Sequence, residues 1–131
     1  MEGFLQSLKF ESVDMQKHVC TLVGKAAKFK GKKKKWFQKQ ELYWLGTVYK
    51  RDGDEYQNLL NRAYNQLYKN EGFRKALEAT KGCVLTHSIG KNKINETVLT
   101  TSEFCGRLTY LRDKGLLPEK EISKIEQLNL F

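Results

Sequence analysis

Eight lysines and no acid lie between Val23 and Lys39, in VGKAAKFKGKKKKWFQK. Ammonium groups at this density neutralise phosphates, on a nucleic acid, a phosphorylated metabolite or a membrane surface. The whole chain carries a formal net charge of +9, so this stretch holds nearly all of the excess. Such an excess marks a patch, not a generally basic protein. Lys32, Lys33, Lys34 and Lys35, followed by Trp36 and its neighbour Phe37, are the residues that a nucleic acid would meet, with phosphates on the lysines and bases stacked on the aromatic pair. Trp36 can equally anchor the stretch to the core. A solvated charged face remains open as a third reading.

Other residues suit other chemistry. His87 follows the short apolar run Cys83–Leu85 and precedes a polar loop, a common place for a site histidine. Arg51 and Asp52 stand at a helix entry in YKRDGDEY. Asp52 there is a cap, or Arg51 faces a phosphate beside the free N–H groups of that helix. Several classes are excluded. GKAAKFKGKKKK lacks the Ser or Thr of a nucleotide-triphosphatase loop and follows a helix. Neither GxGxxG nor HExxH occurs. His18 and His87 make no metal site by themselves, and Cys20, Cys83 and Cys105 are too far apart for a zinc ribbon. No metal or cofactor is expected. The cysteines read as reduced thiols buried in a core, which suits the cytoplasm. No apolar run approaches the ~20 residues of a membrane span.

The elements that must position these residues are mostly helical. With 131 residues, the chain fits one domain. Phe4, Leu5 and Leu8 share a face of a short first helix. Ser12 caps a second, whose stripe is Met15, Val19, Leu22 and Val23, and Gly24 stops it. The lysine stretch then follows as a loop, beginning at the negative end of that helix dipole. ELYWLGTVY reads as a short helix followed by an extended piece. The clearest helix is DEYQNLLNRAYNQLYKN, with Tyr56, Leu59, Leu60, Ala63, Tyr64 and Leu67 at the helical period. Asn70 caps the next helix, which carries Phe73, Ala76 and Leu77 and ends at Gly82. Val84, Leu85 and Thr86 favour an extended chain, and SIGKNKIN is a polar loop. Thr100 and Glu103 form a capping box for a helix buried through Phe104, Leu108 and Leu111 and stopped at Gly115. Pro118 opens a last helix with Ile122 and Ile125 inward. The fold class that follows is mainly α, a small helical domain with one or two short extended segments.

The ordered passages FLQSLKF…MQKHVCTLVGKAAKFKGKKKKW, LYWLGTVYKRDGDEYQNLLNRAYNQLY, GFRKALEATKGCVLTHSIGK and ETVLTTSEFCGRLTYLR resemble the NADAR (YbiA-like) domain, especially versions from tailed phages. The similarity covers roughly residues 4 to 113 and rests most on a helix ending in Ala-Thr that runs into a short strand. The resemblance implies a mostly helical fold and N-glycosidase chemistry on ADP-ribose or a phosphoribosylated compound. It implies phosphate contacts from Lys25, Lys28 and Arg51, with His87 at the ribose or base. The family's upstream Ser-x-Glu-His-type segment, whose Glu acts on the glycosidic bond, has no counterpart here, and neither has its tryptophan-glycine motif. The chain therefore resembles the C-terminal two-thirds of that domain. His87 and Asp52 are left as stand-ins for the catalytic group, because an oxocarbenium-like transition state is normally stabilised by a carboxylate. The alternative is a small basic phage protein that binds nucleic acid or a protein through residues 25–39. Its uncapped start suggests that apolar surface at Phe4 and Leu8 is covered by a second copy or another chain. The expected location is the host cytoplasm.

Overall fold

The computed structural model describes residues 1–120. Their order is α1 (Glu2–Ser7), α2 (Val13–Cys20), α3 (Gly24–Lys32), a 3-10 turn (Trp36–Gln38), β1 (Glu41–Trp44), β2 (Thr47–Lys50), α4 (Asp54–Tyr68), α5 (Glu71–Glu78) and α6 (Thr101–Lys114). Six helices thus accompany a two-stranded antiparallel sheet. The expected mainly α class is corrected to a mixed α/β architecture, helical for the most part but with a true hairpin. The described residues group into two units: Met1–Tyr56 with Lys93–Val98, and Gln57–Asn92 with the chain from Leu99 onward.

In the first unit, α1 packs against both α2 and α3. Gly3 permits the approach to α2: a Cβ there would stand 2.7–2.9 Å from the carbonyl oxygens of Leu22, Val19 and Cys20. Ser12 caps α2 by accepting from the Met15 N–H at 3.3 Å. The expected stripe on α2 is corrected, because Met15 and Val23 are exposed while Gln16 and Val19 are buried. Gln16 faces inward because its amide has work there. Its Nε2 donates to the carbonyls of Phe10 (2.9 Å) and Tyr43 (2.7 Å), and its Oε1 accepts from the Leu45 N–H at 3.1 Å. Leu45 and Gly46 both have positive φ, 46° and 88°, as a two-residue primed turn requires. Gln16 therefore holds a turn that lacks the usual Asn-Gly pair. The hairpin pairs Glu41 with Lys50 and Trp44 with Thr47, so ELYW is a strand and not the expected short helix. Phe4 meets Trp44 edge to face at 4.9 Å, and the Leu8 carbonyl accepts from the Tyr43 N–H at 2.8 Å. A two-stranded hairpin is marginal alone, and these contacts supply its support. They also cover the N-terminal apolar residues: Leu5 and Leu8 are buried.

In the second unit, Tyr64, Leu77, Leu111 and Leu117 form a buried cluster, with Phe73, Phe104 and Leu108 packed around it. The predicted N-caps hold, but α5 ends at Glu78 with Ala79 as its cap, short of the expected stop at Gly82. The Asn70 side chain accepts from the Phe73 N–H at 2.9 Å, and Thr100 and Glu103 form the reciprocal box. Gly115 closes α6 with φ +95°. The expected strand at Val84–Thr86 is absent. Those residues have no ladder partner, and Val84 is 89% exposed. The cysteines are corrected too: Cys20 and Cys83 are exposed and Cys105 is half-buried. Pro118 lies in an irregular segment instead of opening a helix, pinned to α4 by Asn65, which both donates to and accepts from the backbone of Leu117. The expected inward residues Ile122 and Ile125 fall outside the described residues.

Candidate nucleic-acid interface

The first part of the lysine stretch, Gly24–Lys32, is helix α3 instead of the loop expected from its composition, while Lys33–Lys35 follow as turn and irregular chain. Two small residues one turn apart, Ala27 and Gly31, face inward and are buried. Lysine is a good helix former, and Ala27 and Gly31 let α3 lie close to α1. At Gly31 the side chain of Gln6 occupies the space a Cβ would need. The sequence hid this helix because its buried face is only two small residues wide. Gly24 does take a left-handed φ of +53°, but it opens α3; α2 already ends at Cys20 with Thr21 as its cap, so the expected stop at Gly24 is corrected.

The exposed residues of this stretch are mostly lysine. Lys25, Lys28, Lys30, Lys32, Lys33, Lys34, Lys35 and Lys39 are all exposed. Among the described residues none of them pairs with a carboxylate. Lys30 and Lys32 fall in the last turn of α3 and Lys33 caps it, where the helix dipole favours positive charge. Lys25 in the first turn gains nothing from that dipole. The Lys33 ammonium lies 5.1 Å from the centroid of Phe29, and that of Lys34 lies 5.3 Å from the centroid of Phe10. These contacts hold two of the lysines near aromatic rings.

The other expected site residues are placed differently. Trp36 is 8% exposed, so its indole anchors the 3-10 turn in the core. Its neighbour Phe37 points out instead, 52% exposed, as is Phe29 at 62%. Arg51 is only 1% exposed. Its Nε donates to the Thr97 carbonyl at 2.8 Å, and its guanidinium lies 5.1 Å from the Tyr56 ring centroid. The Tyr56 hydroxyl in turn donates to the Val98 carbonyl. Arg51 and Tyr56 thus tie residues 97 and 98 into the first unit, while Lys25 and Lys28 lie in the open. Asp52 is exposed in the turn before α4. His87 belongs to the second unit, is exposed, and meets the Phe104 ring at 5.3 Å.

The second unit holds a shallow groove of about 560 Å³ between Cys83–Leu85 and the Ser102, Cys105 and Thr109 face of α6. Arg112 borders it, but this guanidinium is occupied. It donates to the carbonyls of Thr80 (2.9 Å) and Cys83 (2.8 Å) and pairs with Asp113 at 2.8 Å. Its hydrogen bond holds the Asp113 carboxyl below its ordinary pKa. Among the described residues no helix is long and apolar enough to cross a membrane.

Comparison with known proteins adds the family. The model of the bacteriophage protein GP30.3 family matches residues 1–113. The chain is also 39% identical over 116 residues to the "Uncharacterized 17.1 kDa protein in Gp30-rIII intergenic region" of Enterobacteria phage T4, covering 86% of this chain and 76% of that protein. No solved structure matches. The NADAR resemblance is overturned by this assignment. Its strongest passage required a helix running into a strand, and α5 instead runs through turns into the exposed, unpaired segment after Gly82. The chain belongs to the bacteriophage protein GP30.3 family.

Proposed function

We propose that this member of the GP30.3 family is a binding protein that grips the phosphate backbone of nucleic acid through α3 and the lysines that follow it. One observation carries the reading: eight lysines, all exposed, are mounted on a helix and turn whose inner face is fixed to the rest of the unit. Like charges at this density repel one another, since the screening length at physiological salt, about 8 Å, does not isolate neighbouring residues from each other. A polyanion relieves that repulsion and releases its own condensed counterions, which is the main source of sequence-independent affinity.

The test is binding of the whole chain to labelled DNA and RNA across a salt series. The expected plot of log K against log salt is linear and steep, losing about 0.9 per phosphate contacted on duplex DNA and about 0.7 on single strands. ADP-ribose, the ligand implied by the overturned resemblance, provides the contrast. Thermal stabilisation by ADP-ribose that survives salt, with no binding to nucleic acid, would contradict the proposal.

A further inference from the structure

Among the described aromatic residues, Phe29 and Phe37 alone are exposed, and both stand inside the lysine stretch. The remaining described phenylalanines, tyrosines and tryptophans are buried or half-buried. Scattered exposed apolar residues are ordinary on a protein surface. Two open rings confined to the one strongly cationic segment are a pattern, and one ring already has the Lys33 ammonium beside it. The helix does not require Phe29 for its own packing, since Ala27 and Gly31 make the buried face. Phe37 is turned outward because adjacent Trp36 is the residue that anchors the 3-10 turn.

From this placement we infer that the segment binds single-stranded nucleic acid, with Phe29 and Phe37 as base-stacking platforms and Lys30 to Lys35 on the phosphates between. The inference rests on the function proposed above and names its substrate class. Unpaired bases offer an open π-face that a duplex keeps stacked inside, and a ring flanked by ammonium groups meets base and phosphate together. The same features suit an anionic bilayer less well. A helix lying in a membrane interface needs a continuous apolar face, whereas α3 turns its small apolar side inward and exposes Phe29 among lysines.

The test compares fluorescence anisotropy of a labelled oligothymidylate, a duplex of equal length, heparin as a polyanion without bases, and phosphatidylserine vesicles, for the native chain and for F29L and F37L. Both rings are exposed, so each variant is expected to fold; circular dichroism checks this. Each substitution should weaken oligothymidylate binding about ten-fold and leave heparin binding and the salt slope unchanged. Preference for the single strand over the duplex should shrink in parallel. Tight binding of every polyanion with no effect of either substitution would overturn the stacking inference and leave phosphate gripping intact. Binding to none of the nucleic acids or heparin would overturn both. Binding to vesicles alone would replace the partner with a membrane surface.

Discussion

Basic side chains do opposite jobs in two regions of this molecule. In the stretch Val23–Lys39 every charge is a lysine, every lysine is exposed, and no carboxylate lies within the segment. In the interior of the second unit the basic residue is arginine, its guanidinium tied to protein acceptors. Arg107 is buried, with Nε donating to the Asn61 Oδ1 at 3.0 Å and a terminal nitrogen donating to the Gln57 Oε1 at 2.7 Å. Gln57 passes the connection to Glu103 at 2.6 Å, and Glu103 completes the cap of α6 at Thr100. A planar guanidinium with five fixed donors can saturate several carbonyls at once, while a hydrated ammonium on a flexible stem is better left in water. The lesson is that net charge alone does not locate a binding surface. What matters is which cations have no protein acceptor, and here those are concentrated in the lysine stretch.

That division can be broken from either side. The largest effect should come from the interior. Leu111→Ala removes a fully buried side chain from the core cluster and should cost about 3 kcal/mol, read by urea unfolding. Below its unfolding transition the same variant should keep the native salt dependence of DNA binding. Arg107→Lys comes next: it strands the Asn61 and Gln57 acceptors, with an expected loss of about 2 kcal/mol. Lys33→Arg, the reverse exchange on the surface, should change stability by less than about 0.5 kcal/mol. Equal costs for these two exchanges would erase the distinction. Gly3→Ala in the first unit forces a Cβ against three backbone carbonyls; crowding outweighs the gain in helix propensity, for a net loss of about 1 kcal/mol.

The smallest effect concerns acid. The Arg112 hydrogen bond lowers the folded-state pKa of Asp113. A lowered carboxylate pKa stabilises the fold above the unfolded value, and that contribution disappears as pH falls through the folded one. Asp113→Asn should therefore flatten the acid limb of the Tm profile slightly. It should leave Tm nearly unchanged at neutral pH, since Asp113 is substantially exposed and such pairs contribute little. A variant whose acid limb matches the native one shows that Asp113 has no part in it.

Sequence alone disclosed the elements whose signals are local. The period of Tyr56, Leu59, Leu60, Ala63 and Tyr64 gives α4, and the side chains of Ser12, Asn70 and Thr100 mark helix starts that the structure contains. What stayed hidden depends on tertiary partners. The primed turn at Leu45-Gly46 relies on Gln16, 29 residues away for Leu45, and a polar residue at that position gives no hint of burial. Helix α3 buries only Ala27 and Gly31, too little apolar surface to show a period. The segment at Val84 carries strand-favouring residues but has no neighbour to pair with. For the site, the lysines were legible by composition, but the roles of the aromatics were not. Trp36 faces in and Phe37 faces out, and adjacent residues in a 3-10 turn give no sequence signal for which ring anchors it.

The most direct test of the central claim is the salt dependence of oligonucleotide binding for the native chain beside a variant with Lys32, Lys33, Lys34 and Lys35 all changed to Gln. If these ammonium groups hold phosphates, the variant loses roughly 3 from the magnitude of the single-strand slope and most of its affinity, with its unfolding curve in place. An unchanged slope in a folded variant would contradict the account.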